Sequence, residues 1–365
     1  MIDNFNLFED LAKQGIIRTH IADIIRHDPP PLPSEFDYSK VEGMLLGVAV
    51  GDSLGATSEG MLPADRKKKF GEIRNYIPGH RSNWKPIGVP TDDTQLTFWT
   101  LKQLIEDGGL IPDKLAQRFC RHHINGIGTT TKSFISNYKD RHKPWYNAGL
   151  ESLGNGALMR ISPIVIPYLK KPSESMYADA ALDTMITHNS FGNTATCVAF
   201  VNILWSLLSM KSAPEPRWWV DSYCALAEKL EGNAAANDVS YNHSYKEPLW
   251  QFTERVVTEA LRKRLPVVDA CNTWGSGASL FETVPSVLYI LAMHAHNGEE
   301  AIIRAVNDTK DNDSVAAIVG AAVGALHGST GIPDRWIKGL TGRIRSEDDG
   351  EVFRLILLAK QKFWS

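Results

Sequence analysis

Apolar positions recur along this chain with the spacing of α-helices, and no stretch sustains the two-residue alternation of strands joined by hairpin turns. The clearest case is 315–326. There Ala317, Ala321 and Ala325 share one stripe at i, i+4, i+8, and Gly320 and Gly324 form a second. Small residues on two faces let neighbouring helices approach closely, so this segment is expected to be a central buried helix. Similar patterns over 93–106, 194–210, 250–262 and 284–294 predict four more long helices. The fold class read from this pattern is all-α.

Residues 1–38 stand apart. Asn6 with Glu9 suggests a capping box, Leu7, Phe8 and Leu11 form a short apolar face, and Gly15 is placed to end that helix. Ile17, Ile21, Ile24 and Ile25 then recur at i, i+4, i+7, i+8, which predicts a second short amphipathic helix. The run Asp28-Pro29-Pro30-Pro31-Leu32-Pro33 follows as a stiff connector that cannot continue a helix. This divides the chain into an N-terminal extension, 1–38, and a main domain, 39–365. The stretch 213–246, with Trp218-Trp219 and a polar second half, reads as a variable loop.

Composition narrows the classes. At 365 residues the chain can bury a substantial core. A net charge of −3 leaves no electrostatic footprint for nucleic acid. The one basic run, Arg66-Lys67-Lys68-Lys69, is explained by a solvated helix face. Cys120, Cys197, Cys224 and Cys271 lie far apart without CxxC spacing, as reduced thiols in a cytosolic protein do. No basic segment leads into an apolar one at the N-terminus, and no apolar run approaches the ~20 residues of a membrane helix. The expectation is a cytoplasmic protein without a membrane or nucleic-acid partner.

Two short motifs carry most of the candidate chemistry. Thr91-Asp92-Asp93-Thr94 and Asp311-Asn312-Asp313-Ser314 each pack two carboxylates and at least one hydroxyl into four residues. Either alone is explained as a helix cap with its neighbours in solvent. Brought together by folding, they would form an oxygen-only cage for one or two divalent cations of the Mg²⁺ or Mn²⁺ type. The turns Gly126-Ile127-Gly128-Thr129-Thr130-Thr131 and Gly154-Asn155-Gly156 each precede a helical pattern. Their backbone N–H groups suit a pyrophosphate or ribose, although plain C-cap glycines read the same way. Asp52, in Gly51-Asp52-Ser53-Leu54-Gly55, reads as a buried hydrogen-bond acceptor. Arg160 is either a buried partner for carboxylates or a phosphate contact.

The order of these motifs resembles one family. Gly47-Val48-Ala49-Val50-Gly51-Asp52-Ser53-Leu54-Gly55-Ala56 leads to Glu59. Thr91-Asp92-Asp93-Thr94 follows, then Gly154-Asn155-Gly156-Ala157-Leu158-Met159-Arg160, Thr187-His188-Asn189, and Asp311-Asn312-Asp313-Ser314-Val315-Ala316-Ala317-Ile318. Over roughly residues 40 to 345 the set looks like the ADP-ribosylglycohydrolases, the relatives of the dinitrogenase reductase-activating glycohydrolase. That resemblance implies a compact orthogonal multi-helix fold, a site for two Mg²⁺ or Mn²⁺ ions, and hydrolytic removal of ADP-ribose from a modified protein, from arginine by analogy with bacterial members. It implies metal ligands Thr91, Asp92, Asp93, Asp311, Asp313 and Ser314, with Ser314 standing where the family usually has Thr. Catalytic roles fall to Glu59, Asp92 and Asp313. ADP-ribose would meet Gly126, Gly128, Thr129, Gly154, Asn155, Gly156 and His188, with Trp274 and Ser276 beside the adenine-side ribose. Family members that confer immunity to ADP-ribosylating toxins resemble this chain in their added arm, which implies that residues 1–38 insert into such a toxin. The alternative is a catalytically inactive member kept as a binding or structural protein.

Overall fold

Two helices, Ser39–Gly55 and Asn312–His327, cross the centre of the molecule antiparallel and in backbone contact. The cause is a stripe of glycine at every fourth position. Gly43, Gly47, Gly51 and Gly55 lie against Gly324, Gly320, Ala316 and Asp313 of the facing helix. A Cβ on Gly51 would stand 2.1 Å from the Ala316 carbonyl oxygen, and one on Gly55 would stand 2.4 Å from the Asp313 Cα. No side chain fits in that seam, so the pairing locks one register between the helices. That register sets the end of the first helix, with Asp52, beside the first turn of the second, with Asp313.

The computed structural model describes residues 3–233, 237–238, 243–244 and 247–365. Among these residues it holds seventeen α-helices, and its only strand pairing is the antiparallel pair Asn237–Asp238 and His243–Ser244. The all-α expectation holds. The five long helices emerge as Asp92–Asp107, Phe191–Ser209, Leu249–Lys263, Leu280–His294 and Asn312–His327. Phe191–Ser209 meets the length and hydropathy of a membrane span, which the sequence reading did not find. Its most apolar window is 83% buried inside the protein, as befits a core helix.

Three local expectations give way to tertiary packing. Part of the supposed variable loop is a sixteen-residue helix, Pro216–Glu231. It buries Trp219, Val220, Tyr223, Leu226, Ala227 and Leu230 against the Phe191–Ser209 and Leu249–Lys263 helices. In the arm, the capping box does not form. The first helix is Phe5–Lys13 with Asn4 at its N-cap position, and Asp3 accepts the Phe5 N–H at 3.0 Å. Asn4 instead reaches across to the Leu110 carbonyl (2.9 Å) and to Asp179 (2.6 Å).

The second arm helix shrinks to one 3-10 turn, Asp23–Arg26. Just before it, the backbone is taken by the main domain. Arg18 N–H donates to the Asn189 side chain, Asn189 donates back to the Ile16 carbonyl, and His20 N–H donates to the Leu230 carbonyl. Ile17 and Ile25 are buried, and Trp205 donates its indole N–H to the Pro30 carbonyl. The extension lies on its own domain.

Candidate active site

The N-termini of Asp92–Asp107 and Asn312–His327 converge at one end of the central helix pair. Neither N-cap side chain, Thr91 or Asp311, accepts a backbone N–H of its own helix, so their oxygens are not spent on capping. For the first helix, Asp52 does that work from 39 residues away. Its carboxylate accepts the Thr91 N–H (3.0 and 2.9 Å), the Thr94 N–H (3.1 Å) and the hydroxyls of both threonines. Asp52 is thus the buried acceptor its position suggested. It ties the acidic turn 91–94 to the glycine-striped helix.

The carboxylates gather in two overlapping trios. Oxygens of Asp52, Asp93 and Asp313 lie within 4.8 Å of one another, as do oxygens of Glu59, Asp311 and Asp313. Burial holds Asp93 and Asp313 well above the usual carboxylate range, and repulsion from neighbouring carboxylates adds to it. Burial likewise pushes Asp92 to about 7 and Asp311 to about 6, although Asn155 donates to Asp311 at 2.6 Å. Asp93 Oδ1 is buried without a hydrogen-bond partner. So many ionisable oxygens at the positive ends of two helices call for a further cation. The donors are all hard oxygens, with the Thr91 and Ser314 hydroxyls adjoining, and this set fits Mg²⁺- or Mn²⁺-type ions.

Above them opens a cleft of about 100 Å³. Asp92, Asp93, Asp311, Asp313 and Ser314 lie at its floor and Glu59 at its rim. Gly126, Gly128, Thr129, Gly154, Asn155, Gly156 and His188 form its walls. Gly126 has φ +83°, and a Cβ there would come 2.9 Å from Asp92 Oδ1. The positive φ calls for glycine there. The 154–156 turn is held by a bridge between Gly154 and Ser279, with Asn155 N–H on the Ala278 carbonyl. Gly156 faces the His188 ring, leaving room for a Cβ only 2.9 Å from Cε1.

His188 is oriented from behind. Its Nδ1 lies 2.8 Å from the Thr187 hydroxyl, which also accepts from Arg160 at 3.1 Å. Arg160 can only donate, so the arrangement that satisfies all three groups sends the Thr187 proton to Nδ1 and leaves Nε2–H as the free donor. Burial and then the Arg160 charge hold His188 down to about 3, so the ring is neutral. Arg160 itself is fully buried, ion-paired with Asp183 and stacked 4.7 Å over Phe119. Of its two readings, the structural one stands.

Two expected contacts lie elsewhere. Trp274 packs inward, its indole N–H on Ser286 (3.0 Å) and its ring edge-on to Tyr289. Ser276 accepts the Lys310 N–H at 2.9 Å through its hydroxyl and the Asp311 N–H at 2.8 Å through its carbonyl. It shapes the Asp311 turn from below and does not line the cleft. Thr91 is also behind the floor, its hydroxyl on Asp52. In the other direction, Thr130, Thr131, Met159 and Ala278 do line the cleft.

The basic run hides a further surprise: Arg66 is not solvated but fully buried. Burial lowers it to about 10, and the nearby carboxylate of Asp313 opposes that shift, so it remains charged at neutral pH. The only hint in the sequence was its place seven residues after Glu59.

Comparisons with known proteins agree with this geometry. Residues 33–362 match the family model described as ADP-ribosylglycohydrolase. The chain is 27% identical to the ADP-ribosylarginine hydrolase Tri1 of Serratia proteamaculans, over 87% of this chain and 80% of that protein. It is 24% identical to the ADP-ribosyl-[dinitrogen reductase] glycohydrolase of Rhodospirillum rubrum, over 88% and 97%. A solved structure titled as an ADP-ribosylglycohydrolase-related protein complex superposes with a TM-score of 0.64 at 25% identity, covering 89% of this chain and 98% of that one. With the matched model spanning nearly its whole length, and with the carboxylate floor and glycine-walled cleft in place, this chain belongs to the ADP-ribosylglycohydrolase family.

Proposed function

We propose that this protein hydrolyses the bond between ADP-ribose and a modified protein side chain, arginine being the acceptor, with two Mg²⁺ or Mn²⁺ ions at the cleft floor. The observation that carries the reading is the sharing of Asp313 by two carboxylate trios beneath walls of backbone N–H and neutral donors. Asp92, Asp93, Asp311 and Asp313 would hold the ions, with Glu59 and the Thr91 and Ser314 hydroxyls adjoining. When bound, such ions would neutralise the carboxylates and lower the pKa of a coordinated water.

The remaining work falls to the chain. Helix geometry leaves the first N–H groups of Thr129–Ile135 free, and these suit the pyrophosphate, the Gly154 and Asn155 N–H groups being held by Ser152 and Ala278. The His188 Nε2–H suits a ribose hydroxyl. Glu59, half-exposed at the rim, is placed to exchange a proton with the leaving side chain or the attacking water. Arginine as acceptor rests on the activity named for the Serratia relative.

A protective role against an ADP-ribosylating toxin would run through hydrolysis. Of the arm's isoleucine stripe, Ile17 and Ile25 are buried in this chain's own core and Ile21 and Ile24 are half-buried, which leaves only part of it to meet a partner. The deciding experiment is release of ADP-ribose from an ADP-ribosyl-arginine peptide, with Mg²⁺ and with chelator. Metal-dependent release supports the reading. No release, with ADP-ribose still bound, favours an inactive binding protein.

A further inference from the structure

We infer that Arg66 is a positioning residue that sets Glu59 relative to the turn bearing Asp311 and Asp313. The inference rests on the proposed hydrolysis. The guanidinium is fully buried between two turns and uses its donors on both. Toward Glu59 it donates to the Ser58 hydroxyl (3.0 Å) and to the carbonyls of Ser58 (3.2 Å) and Met61 (3.0 Å). Toward the Asp311 turn it donates to the carbonyls of Asn307 (3.2 Å), Thr309 (2.6 Å) and Lys310 (3.4 Å).

Two further bonds close the same seam. Gly60 N–H donates to the Lys310 carbonyl at 3.0 Å, and the Asn312 amide donates to the Ser58 hydroxyl at 3.0 Å. The backbone on both sides of Glu59 is therefore anchored to the residues leading into Asp311. The Glu59 carboxylate is not anchored: its side chain is 41% exposed and 3.9 Å from Arg81. A fixed backbone with a free carboxylate confines Glu59 to swings between Arg81 and the trio it shares with Asp311 and Asp313. Lysine cannot replace this fork, because one ammonium cannot reach carbonyls on both turns with the same spread of donors.

The test is a double-mutant cycle with Arg66→Lys and Glu59→Gln, assayed on ADP-ribosyl-arginine peptide with Mg²⁺, beside calorimetric titration with ADP-ribose. Arg66→Lys is expected to lower kcat by about 10–100-fold, the scale on which misplacing a reacting group costs rate. ADP-ribose affinity should stay within about threefold, since the cleft walls do not touch Arg66. In the Glu59→Gln background the same change should cost less than about threefold, because the residue it positions is gone. A wild-type kcat in Arg66→Lys, or an equal loss in both backgrounds, overturns the inference and leaves the functional reading standing. Wild-type protein without hydrolysis overturns both. Ser58→Ala, which removes only the hydroxyl at the seam, substitutes if Arg66→Lys does not fold. It should show the same loss confined to the Glu59 background, and additivity there is equally fatal.

Discussion

Gly47 and Gly320 meet backbone to backbone: a Cβ on Gly47 would lie 2.0 Å from the Gly320 carbonyl oxygen, and one on Gly320 would lie 2.1 Å from that of Gly47. Neither neighbour is a side chain that could swing aside. Gly47→Ala should therefore destabilise the protein by about 3 kcal/mol or more, the upper range for overpacking, despite alanine's better helix propensity. Thermal unfolding checks the stability. Metal-induced stabilisation of the same variant should also fall, because the seam sets Asp52 and Asp313 side by side.

The carboxylate floor makes opposite predictions with and without metal. Asp313→Ala removes a buried charge from a repulsive set, so the metal-free variant should unfold at a higher temperature than wild type. It should also gain little from added Mg²⁺ or Mn²⁺ and lose turnover, with helical circular dichroism unchanged. A variant that keeps wild-type activity would refute the assignment.

The pH dependence follows from the same groups. Asp92 near 7 and Asp311 near 6 stand above their unfolded value of 3.8. Groups raised in the folded state bind protons more tightly there than in the unfolded chain. The metal-free protein therefore loses their contribution as pH rises from about 4 through 7. Bound cations need the deprotonated carboxylates, so stabilisation by Mg²⁺ should grow over the same window. Unfolding at pH 5 and 8, in chelator and in Mg²⁺, measures both slopes.

The two sides of the cleft should respond differently to small changes. Gly156→Ala pushes a methyl against a His188 ring that Thr187 holds in place. ADP-ribose affinity should drop about tenfold, the equivalent of 1.4 kcal/mol. Trp274→Phe lies outside the cleft and should leave affinity within about twofold, while losing the bond to Ser286 and some stability. Calorimetry with ADP-ribose distinguishes them.

The arm should behave as part of the core. Asn4→Ala strips a hydrogen bond from buried Asp179, which keeps only the Tyr168 hydroxyl at 2.7 Å, and should cost about 1–3 kcal/mol. Deleting residues 1–33 should cost more, because Phe8, Leu11, Ile17 and Ile25 leave their contacts. Turnover per folded molecule should survive at low temperature. Differential scanning calorimetry with an activity assay separates the two effects.

What the sequence determined by itself was whatever depends on neighbours within a few residues. Helical periodicity placed five long helices to within a few residues, and the two acidic motifs fell at helix N-termini because their side chains favour that end. The four-residue glycine period from Gly43 to Gly55 stands in the sequence but acquires its meaning only from the facing Gly320 and Gly324. The family order of the motifs pointed to one site before any two of them were seen together.

The tertiary structure alone decided burial and direction. Arg66 and Lys67 are neighbours in one basic run, yet only the first enters the protein, because the carbonyls of 307–310 arrive there to receive it. Trp274 turns toward Ser286 and away from the cleft. The isoleucine stripe forms no helix ahead of the Asp23–Arg26 turn because Asn189 and Leu230 take the backbone bonds of residues 16–20. For Arg66 and the isoleucine stripe the deciding partner lies far along the chain, and for Trp274 it lies twelve residues on, in the next helix. A contact that closes a long loop leaves no trace in local spacing, because its energy is settled only when both ends are in place.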